Sequence, residues 1–377
     1  MHKEAEGQIT KDNIYNTVEP TDFPAMMDGS RYLDRTSAFD KIISATHDHF
    51  WDPMDKRYID FDTPFDIENE YMVDPTMTVG YGTAVWDKLD EKGRIKLTNL
   101  ETHWSLSNVL HGEQGALALS ASLCHILRDP GAQEYAANQA REEARHVTAF
   151  TNIVKARFGR PMAVGSVLRD TLSELVNSKY AWKKIVGMQL LVEGLAMGAF
   201  ATFYNKGRDP LIVQLSQLAM TDEAFHHKFG KIWADRTIPK LDAEEHAKIE
   251  DWAWTVFQNL LFNIAAPEQK KHIYAEVGLD WDWVQASFME GMTDEKIRGN
   301  MQESANIFRV LVKTLSMTGI ITDRTAHNYA AYVDMKELYA ENDEMVGDKI
   351  AAAGIEQLKL INRNNDTLLK VSGNAAE

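Results

Sequence analysis

One internal correspondence limits this chain more than any other feature: the tripeptide Arg128-Asp129-Pro130 recurs as Arg208-Asp209-Pro210, 80 positions later. The same offset carries Glu113 onto Glu193, Glu143 onto Glu223, Ala144 onto Ala224 and His146 onto His226. In each copy the Asp is placed to cap a helix N-terminus and the Pro to fill its first turn. The repeat is therefore a helix–turn–helix unit present twice. At 1.5 Å of rise per residue, Glu113 (about 16 residues before the first turn) and Glu143 and His146 (about 15 after it) all stand roughly 24 Å from that turn. Glu and His spaced three apart share a helix face. Two copies packed together gather four carboxylates and two imidazoles into one layer of a bundle. With 27 Glu and 12 His in 377 residues, one Glu-x-x-His is expected by chance; two, locked to two further Glu and two identical turns, are not.

The rest of the chain fits an all-α reading. Apolar periodicity predicts helices over 94–128, 130–158, 163–178, 181–205 and 210–234, broken at Asp129-Pro130, Gly159-Arg160-Pro161 and Asn205–Pro210. Residues 1–90, with scattered Pro, Gly and Asp, read as an irregular arm with short helices and no legible chemistry. The bundle core is placed at 91–236 and a C-terminal helical extension packed on it at 237–377, its last dozen residues frayed. Nothing reads as a sheet.

Within this plan the most apolar stretch, Val186–Phe203, is 18 residues long, which raises the question of a membrane span. Glu193 lies in its middle. A carboxylate facing lipid is too costly, so the stretch is expected to be a helix buried inside the protein, with Glu193 in need of a partner. A net charge of −16 without a basic patch speaks against nucleic acid or an anionic membrane surface. The single cysteine, Cys124, excludes an intramolecular disulfide and a Cys-based zinc site, and is expected to be a small core residue. The opening MHKEAEGQ lacks the apolar run of a signal peptide, so a cytoplasmic protein is expected.

Four buried carboxylates need counter-charge, and two divalent ions supply it. Glu113, Glu143, His146, Glu193, Glu223 and His226 are the candidate ligands. Carboxylate and imidazole without thiolate suit iron or manganese, and zinc by affinity. Asp222 and Glu142 are placed to accept from the outer nitrogens of the ligand imidazoles, and Arg145 to bridge those acids across the two copies. Gln189, one turn before Glu193, would orient a ligand or satisfy backbone. Leu117, Phe150, Met197 and Phe200 lie a turn or two beyond the ligands and are candidates for a substrate wall. His227 faces away from the ligand face, and His47-Asp48-His49, alone in the arm, reads as surface. Trp252, Trp254, Trp281 and Trp283 read as core or interface anchors.

The stretch HGEQGALALSASLCHILRDPGAQEYAANQAREEARH, together with TDEAFHH, resembles the core of the ferritin-like, carboxylate-bridged di-iron superfamily. That superfamily includes ribonucleotide reductase small subunits, acyl-carrier-protein desaturases and the hydroxylase subunits of bacterial multicomponent monooxygenases, and the likeness is greatest to the last. Against their Asp-Glu-x-Arg-His signature, Glu142 stands where Asp is usual, and in the second copy Phe225 stands where Arg is common. Phe150 occupies the position of the reductases' radical tyrosine, which disfavours radical storage. Met197 occupies the position of the monooxygenases' threonine, which weakens transfer of their proton-delivery scheme. The resemblance implies a ferritin-like four-helix bundle holding two iron ions, with manganese as an alternative. It implies a monooxygenase that uses O₂ to hydroxylate or epoxidise a small organic substrate. The chain has no flavin or nicotinamide fingerprint and no cysteine cluster, so electrons are expected from a separate reductase or ferredoxin. An acyl desaturase and a ferroxidase or other metal-binding helical protein are the alternatives. Apolar faces in the C-terminal third point to a homodimer or an accessory subunit.

Overall fold

A computed structural model describes residues 10–265, 267–291, 307–341 and 344–363. The expected frayed C-terminus and the opening MHKEAEGQ lie outside these residues. Every named element among the described residues is helical. Two long hairpins form the bundle: α1 (Glu91–Leu123) with α2 (Pro130–Phe158), and α4 (Ala181–Lys206) with α5 (Pro210–Thr237). The short α3 (Ser166–Asn177) links them, and α6 (Ala243–Ala265) packs against it.

Both Arg-Asp-Pro turns are built as their residues dictate. Asp129 accepts from the Gly131 amide at 2.8 Å and Asp209 from the Leu211 amide at 3.0 Å, each followed by Pro in the first turn. Arg157, near the C-terminal end of α2, clasps Asp209 through Nε at 2.6 Å and Nη2 at 2.9 Å. The second turn therefore lies at the far end of the first hairpin, and the two hairpins run in opposite senses about a pseudo-twofold axis. The expected boundaries hold to within three residues but for one. α1 stops at Leu123, not 128, because the chain beyond it bonds to the arm: the Val18 amide to Ile126 O at 2.9 Å, and the Arg128 amide to Asn16 O at 3.0 Å.

The apolar stretch is a core helix. Ala181–Lys206 is long and apolar enough to cross a membrane, yet 78% of its most apolar window is buried inside the protein. Its section Ile185–Val192 is π-wound, immediately before Glu193. Close packing requires glycine here: a Cβ on Gly187 would lie 2.3 Å from Leu175 Cδ2, and one on Gly230 2.8 Å from Gln189 Cβ. The apolar interior divides around the predicted ligand layer. One cluster holds Leu119, Tyr135, Leu190, Phe229 and Trp233, and the other holds Phe150, Met197, Phe200, Leu215 and Ala219. Each fully buried side chain of this size contributes roughly 1.5–3 kcal/mol, so the two clusters clamp whatever lies between them. Trp252 and Trp254 pack on the first cluster, and Trp281 and Trp283 on a third around Tyr274. Cys124 is half-buried against the first cluster.

Candidate metal centre

The structure brings the six predicted ligands into two interlocked groups. Glu113, Glu143, His146 and Glu223 form one, and Glu143, Glu193, Glu223 and His226 the other. Within each group the ligand atoms lie within 4.8 Å of one another, and every residue is buried. Glu143 and Glu223 belong to both, so they are placed to bridge two ions. His146 Nδ1 lies 3.2 Å from Glu113, 3.4 Å from Glu143 and 3.1 Å from Glu223. His226 Nδ1 lies 3.0 Å from Glu143 and 3.1 Å from Glu223.

Each imidazole is held from behind by the other copy. His146 Nε2 meets Asp222 Oδ2 at 2.8 Å, and His226 Nε2 meets Glu142 Oε2 at 3.0 Å. Carboxylates in these positions accept hydrogen bonds from the Nε2–H groups and leave Nδ1 of each ring facing the centre. Arg145 spans the copies: it bonds Asp222 through Nε at 3.1 Å and Nη2 at 2.5 Å, and reaches Glu142 at 3.8 Å. Gln189 stands beside the ligands, accepting at 3.1 Å from Gln139, whose Nε2 also donates to Glu143 at 3.0 Å and Glu193 at 2.9 Å.

The electrostatics of the layer show what the donor set demands. Burial, with the neighbouring carboxylates, pushes Glu113 and Glu193 well above the usual carboxylate range. Burial alone would lower the His146 and His226 imidazoles, but the surrounding carboxylates overcome it and raise both well above their ordinary value. Among the described residues, Glu143 Oε2 and Glu223 Oε1, both buried, make no well-aligned hydrogen bond and have only His146 Nδ1 nearby, at 3.4 Å and 3.1 Å. Four carboxylates and two imidazole Nδ1 atoms in two groups sharing two members fit a pair of divalent cations.

The family model described as P-aminobenzoate N-oxygenase AurF matches residues 33–314, well over half of the chain. The chain belongs to the AurF family. It is thus an oxidoreductase of an oxygenase family, with a ferritin-like bundle and a buried, metal-binding carboxylate–histidine layer. The AurF match runs from the arm, through both hairpins, into the helix at 307–317. No curated protein sequence matches the chain. Among solved structures, it is similar to an R2-like ligand-binding oxidase variant with an Fe/Fe cofactor, at 16% identity and a TM-score of 0.42 over 76% of this chain and 94% of that one. A second variant with an Mn/Fe cofactor gives 14% identity and a TM-score of 0.36 over 86% of this chain and 94% of that one.

Two sequence expectations for this AurF-family chain need correction. The arm reaches the ligand layer, and His49 is not on the surface. His47 and Asp48 are exposed, but His49 is fully buried, with Nε2 at 3.3 Å from Glu142 and 3.4 Å from Asp222. Trp51, also fully buried, donates from Nε1 to Asp222 at 2.9 Å, and its ring stacks on His146. The Asp52-Pro53 bend and the loop that follows offer no periodic face to announce this. Gln139 was missed too, although it precedes Glu143 by one turn as Gln189 precedes Glu193. His227 faces away, with Nε2 at 2.8 Å from Thr314. Of the four predicted wall residues, Phe150, Met197 and Phe200 are buried in one cluster, the two Phe rings stacked at 5.5 Å. Leu117 is half-buried and lies on α1 toward the first turn, away from that cluster.

Proposed function

We propose that the chain is an O₂-activating di-iron oxygenase that adds oxygen to a small organic amine, with electrons delivered by a separate reductase or ferredoxin. The observation that carries this reading is the pair of ligand groups sharing Glu143 and Glu223. The family description supports nitrogen as the atom oxidised and p-aminobenzoate as the first substrate to try. Bound iron would supply the reductive activation of O₂, held by Glu113, Glu143, His146, Glu193, Glu223 and His226, with manganese suited to the same donors.

The protein's own groups divide the labour around that layer. Asp222 and Glu142 fix the two imidazoles, Arg145 holds Asp222 and approaches Glu142 at 3.8 Å, and Gln139 steadies Glu143 and Glu193. Toward the first turn, the side chains of Gln139 and Gln189 fill the space beside the ligands. The repeat-related positions toward the second turn are Ala219 and Val109, which are small and apolar. That asymmetry supports the second-turn side, walled by Phe150, Met197 and Phe200, as the place where substrate meets the centre and water is excluded. A cavity of about 290 Å³ opens on the same side, between Val310, Met345 and Val346 and rimmed by Lys, Arg and Glu. Val310, at its edge, packs beside Gly194, next to Glu193, but the cavity is lined by none of the ligands or wall residues.

Elemental analysis of protein produced with iron, followed by aerobic incubation with p-aminobenzoate and a chemical or ferredoxin-type reductant, tests the reading. About two irons per chain and a product heavier by one or more oxygen atoms, labelled from ¹⁸O₂, are expected. No stoichiometric metal refutes the di-metal centre; two irons without oxygen transfer to any amine refutes the substrate class.

A further inference from the structure

Between the two ligand motifs, Glu142-Glu143-Ala144-Arg145-His146 and Asp222-Glu223-Ala224-Phe225-His226, one position changes its chemical character. Arg145 stands two residues after Glu143, and the equivalent place after Glu223 is Phe225. Yet the two copies ask for the same service. Asp222 and Glu142 are repeat-related, and each accepts from the Nε2 of one ligand imidazole. Asp222 is secured by the fork of Arg145 and by the Trp51 indole. Glu142 has Arg145 only at 3.8 Å, and its Oε1 faces His49 Nε2 at 3.3 Å. The His49 ring lies on the Phe225 ring, with centroids 4.7 Å apart and planes at 23°. Because Glu142 and Asp222 are both acceptors, His49 Nε2 is the donor, shared between acids from the two copies.

We propose that His49 is a positioning residue that takes the place of the absent second arginine: it fixes Glu142, and through Glu142 the His226 imidazole and the ion His226 holds. The inference rests on the di-metal reading above. It places the retention of one ion of the pair under the control of the N-terminal arm. Phe225 gives the ring a flat seat where a guanidinium would otherwise project. Losing an outer partner of a metal ligand weakens metal binding about 10–100-fold; His49 stands behind Glu142, which is such a partner, so its loss is expected to reach the lower end of that range, and on one ion.

The test is release of Fe(II) from the full, anaerobically loaded chain to a coloured chelator, with circular dichroism to confirm folding. His49→Phe keeps the stacked ring and removes the donor; release of one of two ions is expected to accelerate at least tenfold while the other is unchanged. His49→Gln, which retains a donor, and the double variant His49→Ala/Phe225→Arg, which restores the cation that the repeat implies, are expected to release both ions as wild type does. Wild-type release from His49→Phe, equal acceleration of both ions, or a His49→Gln variant as leaky as His49→Phe each overturns the proposal. Wild-type protein that binds no iron overturns the di-metal reading itself, which separates the two failures.

Discussion

Replacing Arg145 with Ala isolates the balance of charge behind the ligands. The guanidinium is 9% exposed and Asp222 fully buried, and they share two hydrogen bonds at 3.1 Å and 2.5 Å. Despite its burial, Asp222 is held well below the usual carboxylate range, with Arg145 the foremost cause and His146 next. Removing one member of a buried pair costs about 3–5 kcal/mol, because the survivor keeps its desolvation penalty. Asp222 would retain Trp51 Nε1 at 2.9 Å and His146 Nε2 at 2.8 Å, which places the loss at the lower end, about 3 kcal/mol. Arg145→Lys restores charge without the fork, and a loss of about half that is expected. In Arg145→Ala/Asp222→Asn the orphaned charge is gone, so the double variant should recover about 1–2 kcal/mol relative to additivity. Urea unfolding of the metal-free proteins, followed by circular dichroism, gives all four values. A loss below about 1 kcal/mol for Arg145→Ala, or strict additivity with Asp222→Asn, would refute this account of the site.

Three further outcomes follow from the same geometry. Glu193→Ala should reduce bound iron from about two ions per chain to one or fewer by elemental analysis, since Glu193 serves the His226 group; two retained ions would contradict its assignment. Met197→Trp should crowd the apolar side and raise KM for an accepted amine by about tenfold or more at unchanged iron content; an unaltered KM would move the substrate elsewhere. Glu250 is drawn from 4.5 down to about 2: burial opposes the shift, but hydrogen bonds from Thr325, Thr322 and Arg324 outweigh it. Its folded value is the depressed one, so its stabilisation is complete above 4.5 and drains away as pH falls toward about 2. Wild type should therefore exceed Glu250→Gln in thermal stability at pH 7 by a margin that shrinks below 4.5; a constant margin would refute the linkage.

What the sequence discloses depends on whether a residue sits on a periodic element. Glu113, Glu143, His146, Glu193, Glu223 and His226 lie on four long helices at matched heights, so the 80-residue offset is enough to place them together. Asp222, Glu142 and Arg145 inherit their placement from the same register. Gln139 was available to that logic at one turn from Glu143, but it lies in the polar stretch Asn138-Gln139-Ala140-Arg141-Glu142, where one more polar side chain draws no notice, whereas Gln189 stands out in an apolar one. His49 and Trp51 were not available. They stand in irregular chain, and their contacts span 93 and 171 residues of sequence, which no local pattern encodes. The π-winding of Ile185–Val192 was equally hidden: its residues suit an ordinary helix, and it accompanies the packing of Leu175 and Trp252 on Gly187. The end of α1 at Leu123 follows from the arm's hydrogen bonds, which are again non-local.

The 171 residues between Trp51 and Asp222 also carry a consequence for biosynthesis. At about 5–20 residues per second, Trp51 is synthesised roughly 9 to 34 s before the carboxylate it will donate to has been made. During that interval the first hairpin can form, but it presents Glu113, Glu143 and His146 with neither their bridging partner Glu223 nor a closed arm. A nascent chain in this condition exposes an acidic half-site able to hold a single ion loosely. Metal delivered during translation would meet that half-site first, so faithful loading of the pair is favoured once the second hairpin has been released and the arm has closed over it.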